Sequence, residues 1–284
     1  MKKTILALSL AAAMPTFAAD YTDGDTHKND YKWMQANFMY SIDEMPRLKN
    51  AEENDHDYLE LEFGGRAGIL DYYGYIDTFN LLNTGDSDKG DGANKMFMKL
   101  APRFSIDGLT GTDLSAGPIK ELYVATLFNI GGGNIDTKNG GTGDVNNAFV
   151  GLGSDIMVPW LGKVGLNAYA LYEVNEKDWN GFQISTNWFK PFYFFENGSF
   201  IAYQGYIDYQ FGMETKLATD SSNGGVMFNG IYWHSDRWSI GYGLKAYKDV
   251  YGVKDGSDLI IGGNNIGEFE TTGFSHYFAA TYKF

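Results

Sequence analysis

The chain contains no cysteine, which excludes disulfide scaffolds, thiolate zinc sites and cysteine nucleophiles. Only 6 of its 284 residues are proline. No apolar run reaches the ~18 residues a membrane-crossing helix needs, and with a mean hydropathy of −0.30 this rules out a bundle of such helices. Basic residues are scarce too: 22 Lys and Arg stand against 36 Asp and Glu, a formal charge of −14 and a sequence pI near 4.6. Without a Lys/Arg cluster such a chain repels a phosphate backbone, so nucleic acid is not expected as a partner. What is abundant is 20 Tyr, 20 Phe, 6 Trp and 36 Gly, with 44% of residues hydrophobic. That is a folded chain rather than a disordered one, in one large domain or two small ones, and its aromatic, glycine-rich composition points to many strands.

The opening residues read as an address. Lys2 and Lys3 are a basic start, Ile5 to Met14 an apolar core too short to span a bilayer, and Thr16, Phe17 and Ala18 a small-x-small cleavage site. Residues 1–18 are therefore predicted to be a signal peptide cut after Ala18, with one domain over 19–284. Removing two lysines leaves 20 basic against 36 acidic residues, a net −16. The bland alternative is a buried N-terminal helix with snorkelling lysines.

Beyond the leader the pattern has period two. His276, Phe278, Ala280, Tyr282 and Phe284 share one face, and Tyr277, Ala279, Thr281 and Lys283 the other. A chain that stops on an aromatic at the end of such a strand resembles the last strand of bacterial outer-membrane barrels. Strands are expected near 31–40, 57–66, 68–80, 95–105, 118–128, 146–155, 163–174, 180–190, 199–211, 225–234, 238–248 and 273–284. Leu59, Leu61 and Phe63 alternate with Glu60, Glu62 and Gly64, and Leu70, Tyr72 and Ile76 with Asp71, Tyr73, Tyr75 and Asp77. One face suits lipid; the other mixes charge with aromatic rings. Two soluble sheets packed together would also alternate, but their polar faces would meet bulk water, where Tyr, Phe and Gly have no special use. A basic side chain facing lipid at midplane would cost ~2–4 kcal/mol, so Lys99, Arg103 and Lys163 set the register by pointing inward. The faces of 225–234 are not assigned by this pattern. Outward Phe278, Tyr282, Phe284, Trp188 and Tyr203 are expected in the interfacial aromatic girdles.

Connection lengths alternate as well. Joins at 66–68, 156–162, 190–198 and 234–238 are short; those at 41–56, 81–94, 129–145, 212–224 and 249–272 are long and polar. The expected fold is therefore all-β: a single 12-stranded antiparallel transmembrane β-barrel with short periplasmic turns, long extracellular loops and both termini periplasmic. Two joins break the rule, 106–117 being long for a turn and 175–179 short for a loop.

Pro102-Arg103-Phe104-Ser105-Ile106-Asp107, then Leu109-Thr110, Thr112-Asp113-Leu114-Ser115, Gly117-Pro118, Lys120-Glu121 and Tyr123 resemble the signature of the Tsx nucleoside-channel family. So do Tyr72 to Asp77, and Tyr58, Leu59, Glu60 and Glu62. Residues 20–34 and 56–68 are closer still to one branch of that family. The resemblance covers most of the mature chain and implies a monomeric twelve-stranded barrel in the outer membrane, with a narrow lumen that passes nucleosides and loops that bacteriophages use as a receptor. One stretch departs. The family's first extracellular loop carries Arg-Phe-Gly-Pro, whose Phe helps bind the base; Ser41 to Pro46 here include no aromatic.

A twelve-strand barrel lies between those filled by side chains and those holding a wide aqueous channel. Inward Tyr73, Tyr75, Phe97, Tyr123 and Tyr169 would leave a slot for a flat ring, and Glu60, Glu62, Asp71, Asp77, Lys99, Arg103 and Glu121 would exchange hydrogen bonds with ribose hydroxyls. The same charges could instead pair across strands as a stable plug, which gives the rival reading: a structural or adhesion barrel with a closed lumen. No hydrolase, phosphate-loop or metalloprotease motif is present, and Ser275 and His276, adjacent in one strand, point to opposite faces. His27, His56 and His234 lie near strand ends, where solvation is expected. No cofactor or resident metal is expected. Asp86 to Asp91 resemble a calcium loop only superficially. The first-loop acids Asp43, Glu44, Glu52, Glu53, Asp55 and Asp57 offer a divalent-cation bridge to lipopolysaccharide.

Overall fold

The alternation becomes twelve long strands in the computed structural model, which describes residues 19–49, 55–82, 94–131, 145–261 and 264–284. Residues 1–18, where a signal peptide is expected, together with Glu52, Glu53 and the Asp86 to Asp91 loop, lie outside the described residues. In chain order the strands are β1 (Tyr31–Ile42), β2 (His56–Ala67), β3 (Leu70–Phe79), β4 (Met96–Leu100, resuming at Arg103–Ser105), β5 (Ile119–Ile130), β6 (Asn146–Val158), β7 (Gly162–Glu173), β8 (Asp178–Phe194), β9 (Phe200–Phe211), β10 (Asn223–His234), β11 (Trp238–Lys248) and β12 (Gly273–Lys283). Each pairs antiparallel with the next, and β1 pairs with β12 with Phe38 opposite Ala280, so the sheet closes on itself. Closure leaves no unpaired edge, which is what lets strands sit in lipid. No described helix is long and apolar enough to cross a membrane. The gap in β4 falls at Pro102, which has no N–H to donate. Pairing carries through it: Ala101 N–H donates to Tyr73 O at 2.8 Å and Thr126 N–H to Pro102 O at 3.0 Å.

The outer wall is apolar and uncovered: Leu152 is 65% exposed and Ile240 62%. Facing inward, Tyr123, Ala125, Tyr277 and Thr281 are buried. Lys99, Arg103 and Lys163 all point inward, to partners described below, as the lipid penalty requires. Phe278 and Phe284 are exposed on the outside, whereas Trp188 is laid down on Gly205 beside Tyr203 and is nearly covered.

The faces of β10, ambiguous in sequence because rings occupy both, are decided by its neighbour. Phe228 and Tyr232 turn inward and lie flat over Gly243 and Gly241 of β11, where a Cβ would come within 2.1 Å of either ring. Met227, Ile231 and Trp233 are left outside. Gly243→Val is expected to lift the Phe228 ring off the wall and lower stability by about 1–3 kcal/mol, seen as a lower unfolding midpoint in detergent. An unchanged midpoint would show that the inner wall is not close-packed there.

The start of β1 and the end of β12 are at one end of the barrel, together with the connections 68–69, 159–161, 195–199 and 235–237. The longer join at that end holds a one-turn helix, α1 (Ile106–Thr110). Its N-terminus is capped by Ser105 Oγ, which accepts from Gly108 N–H at 2.9 Å, and Gly111 closes it at φ 64°. Buried Asp107 accepts from the N–H groups of Leu114 at 2.7 Å and Leu122 at 3.0 Å. The extra length therefore folds against the barrel. At the opposite end Arg47–Leu48, Ser257–Ile261 and Asn264–Glu270 form a small antiparallel sheet between the first and last long connections. Arg47 Nε donates to Glu270 at 2.7 Å and Lys49 Nζ to Glu268 at 2.8 Å. Sequence periodicity shows neither this sheet nor α1.

Two histidines correct the expectation of solvation. His27 is exposed, but His56 is fully buried and His234 nearly so, the latter stacked on Phe200 at 4.9 Å. Both are the inward-facing residue at a strand end, and the barrel's own rim covers them.

Candidate functional site

Toward the end where β1 starts and β12 finishes, the lumen is held by a network of ions. In the β3–β4 register Asp71 faces Arg103. Arg103 Nε donates to Asp71 Oδ1 at 2.8 Å, and Nη2 to Asp155 Oδ1 on β6 at 3.0 Å. Lys163 Nζ from β7 reaches Asp155 Oδ2 at 3.0 Å, and the Arg103 guanidinium sits 4.1 Å from the centre of the Tyr123 ring. Beside it Arg66 grips Glu121 with two bonds of 2.7 and 2.5 Å. Asp71, Arg103, Glu121 and Tyr123 are thus brought together, but as one buttress spanning six strands, β2 to β7. Tyr169 is separate: it packs on Phe149, with centroids 5.9 Å apart, against Ala125, Leu127 and Leu171 in the wall.

The chain ahead of β1 lies over this buttress, which sequence pattern does not reveal. Tyr21 is buried with the Arg66 guanidinium 5.1 Å from its ring centre. Asp30 accepts from Gly68 N–H at 2.7 Å and from the His27 ring at 2.8 Å. That contact with Asp30 holds the His27 imidazole above its ordinary 6.5, and the same bond lowers Asp30 below 3.8.

The middle of the lumen gathers the remaining expected residues. Trp33, Tyr73, Tyr75 and Phe97 form a continuous row of rings with successive centroids 6.2, 6.2 and 6.1 Å apart. Gly64 makes room for Trp33, since a Cβ there would meet its ring at 2.8 Å. Glu62 accepts from Gln35 at 2.5 Å, Asn37 at 3.0 Å and the Tyr73 hydroxyl at 2.8 Å, and Glu60 accepts from Asn37 at 2.5 Å. Lys99 Nζ donates to Asp208 on β9 at 2.9 Å, under the Tyr206 ring. Tyr206 stacks on Phe228 at 5.8 Å. Sequence reasoning missed Trp33, Tyr206, Asp208 and Phe228. Parity along β1 and β9 was enough to find the first three; Phe228 needed the glycines of β11.

At the end with the long connections, the first loop folds inward. Glu44 accepts from the Tyr277 hydroxyl at 2.8 Å and meets His56 Nε2 at 3.0 Å, while Ser41 Oγ lies 3.2 Å from His56 Nδ1. This Ser-His-Glu chain has the composition of a hydrolase relay, but Ser41 and His56 are both 0% exposed, so no acyl group can reach the hydroxyl. Ser275 and His276 do face opposite ways, Ser275 bonding inward to Asp43 O and His276 outward to Tyr242. The loop acids offered as a divalent-cation bridge turn to protein partners: Asp43 to Arg47, Glu44 as above, Asp55 to the Asp43 N–H, and Asp57 to the Leu82 N–H. Among the described residues no three metal-ligating groups converge.

A closed strand barrel with a lipid-suited exterior and a lumen of rings and charges defines an outer-membrane channel-forming protein. The family described as the nucleoside-specific channel-forming protein Tsx matches residues 28–284, and the chain belongs to it. Two proteins of Vibrio parahaemolyticus, each named outer membrane protein OmpK, are 63% identical (serotype O3:K6, strain RIMD 2210633) and 58% identical over the whole of both chains. The nucleoside-specific channel-forming protein Tsx of Salmonella typhimurium is 29% identical, again over the whole of both.

Proposed function

We propose that this barrel lets nucleosides and similar small neutral solutes diffuse passively across the outer membrane. The observation that carries the reading is the row Trp33, Tyr73, Tyr75 and Phe97 beside Glu60 and Glu62, inside a barrel of a nucleoside-channel family. Stacking on an aromatic ring stabilises any base by ~1–3 kcal/mol, enough to favour entry and weak enough to allow release. The carboxylates accept from ribose hydroxyls, and an acidic lumen repels a nucleotide's phosphate. Asp71, Arg103, Glu121 and Tyr123 serve the solute indirectly, by keeping the wall in place. The sheet closes within one chain, which supports a monomer. Short turns and termini on the periplasmic side, with the long connections outside and open to phages, complete the reading.

The test is uptake by liposomes carrying the purified protein. Adenosine and thymidine are expected to enter faster than glucose, and AMP to be excluded. Equal rates for nucleoside and sugar would remove the specificity, and no flux would favour the closed barrel.

A further inference from the structure

The ion pairs that join one strand of the wall to another differ in reach. Arg103 bonds Asp71 and Asp155, one and two strands away, Lys163 joins Asp155 on the adjacent strand, and Arg66 on β2 holds Glu121 on β5. Lys99 on β4 and Asp208 on β9 stand five strands apart around the closed sheet, yet Nζ and Oδ2 meet at 2.9 Å. Of the strand-to-strand ion pairs among the described residues, this one reaches furthest. Twelve strands about 4.8 Å apart and tilted by about 40° would set opposite walls of a round barrel roughly 20 Å apart. A lysine and an aspartate meeting end to end fall well short of that, so the two walls approach each other and the lumen is flattened at this level.

This strut has a fixed end and a filled side. Ser185 Oγ on β8 donates to Asp208 Oδ1 at 2.6 Å, and Gln183 Nε2 donates to Ser185 Oγ at 2.8 Å, which holds the carboxylate to its own wall and leaves Lys99 to extend toward it. Toward β5, β6 and β7 the interior is taken up by Leu127, Phe149, Tyr169 and Leu171, packed together and at most 3% exposed. The other side is open. Solvent reaches 17% of the Lys99 side chain and 18% of Asp208, against 5% and 4% in the Arg66–Glu121 pair. Tyr75 stands opposite Lys99 in the β3–β4 register. Tyr206, two residues from Asp208 on the same face of β9, has its ring centre 5.6 Å from Lys99 Nζ. One end of the strut is thus beside the ring row, and the other beside the Tyr206–Phe228 stack.

We propose that the Lys99–Asp208 ion pair is the size filter of this pore: it fixes the gap between Tyr75 and Tyr206 and so limits passage to flat or narrow solutes. The inference rests on the channel reading and names what sets its size limit. Pore diameter selects among neutral solutes by exclusion, so the filter acts on sugars as well as on nucleosides. A lysine and an aspartate paired with each other carry no net charge between them, so the strut narrows the passage without repelling a neutral solute.

Uptake of glucose and of the trisaccharide raffinose by liposomes carrying the full-length barrel tests this, together with KCl current in planar bilayers. The wild type is expected to admit glucose and exclude raffinose. Lys99→Ala and Asp208→Ala each remove the strut, and are expected to raise single-channel conductance about twofold and to let raffinose in. The exchange of Lys99→Asp with Asp208→Lys rebuilds the pair at the same net charge and is expected to restore the wild-type limit. Raffinose entry through the wild type at the rate of glucose would overturn the proposal, and that comparison stands whether or not a variant assembles. Continued exclusion of raffinose by both alanine variants, with KCl current present, would overturn it too, since conductance would then respond to charge alone. A wild type closed to both sugars and to adenosine would sink the nucleoside reading. The strut would then stand as what shuts the lumen if the alanine variants conduct, and would fall with that reading if they do not.

Discussion

Arg103→Met is expected to destabilise the barrel by about 3–5 kcal/mol, the magnitude for removing one partner of a buried ion pair. The side chain is the single cation between Asp71 and Asp155, at 2.8 and 3.0 Å, and its guanidinium also covers the Tyr123 ring. Methionine preserves most of the volume, so what is lost is charge and hydrogen bonding. Asp155 would keep Lys163 and the Tyr123 hydroxyl, at 3.0 and 3.2 Å; Asp71 would have no ion-pair partner, and strands β3 to β7 would lose their common tie. Urea unfolding in lipid vesicles measures the effect. Adding Asp71→Asn to Arg103→Met is expected to recover a large part of the loss, because the uncompensated charge is then gone. A loss below about 1 kcal/mol in the single variant would mean that lumen water solvates these groups well enough to make the network dispensable.

Tyr75→Ala is the second large effect, on function rather than folding. Tyr75 is one of the two inner members of the ring row, between Tyr73 at 6.2 Å and Phe97 at 6.1 Å. A base seated there gains stacking on one face at least, so removal should weaken adenosine block of single-channel current by about tenfold, within the ~1–3 kcal/mol measured for such contacts. Tyr169→Ala supplies the contrast. Its ring is packed in the wall against Phe149 and Leu171, so the substitution should lower the unfolding midpoint through a core cavity, with adenosine block retained. Equal losses of block in the two variants would show that the row is not where the base sits.

The contrast between those two tyrosines also measures what was legible beforehand. Both sit at inward positions of their strands, and parity alone could not separate a ring that lines the lumen from one that the wall absorbs. Parity did place Lys99, Arg103 and Lys163, because lipid excludes their charges whatever the neighbours are. For β10 it failed, since rings on both faces give no contrast, and only the bare backbone of Gly241 and Gly243 on the next strand decided which rings could lie flat inside. His56 read as solvated because its partners Ser41 and Glu44 come from outside its own strand.

From the residues alone came the strands, their tilt-compatible lengths, the inward register of the basic side chains and the closed membrane barrel. These follow from alternation and from the cost of exposing charge to lipid, both properties of a short stretch of chain. Tertiary structure alone decided which carboxylates found cations, which rings form a continuous row, that the first loop turns inward, and that Tyr21 covers Arg66. Those outcomes depend on distances between segments tens to hundreds of residues apart, and no local periodicity encodes them.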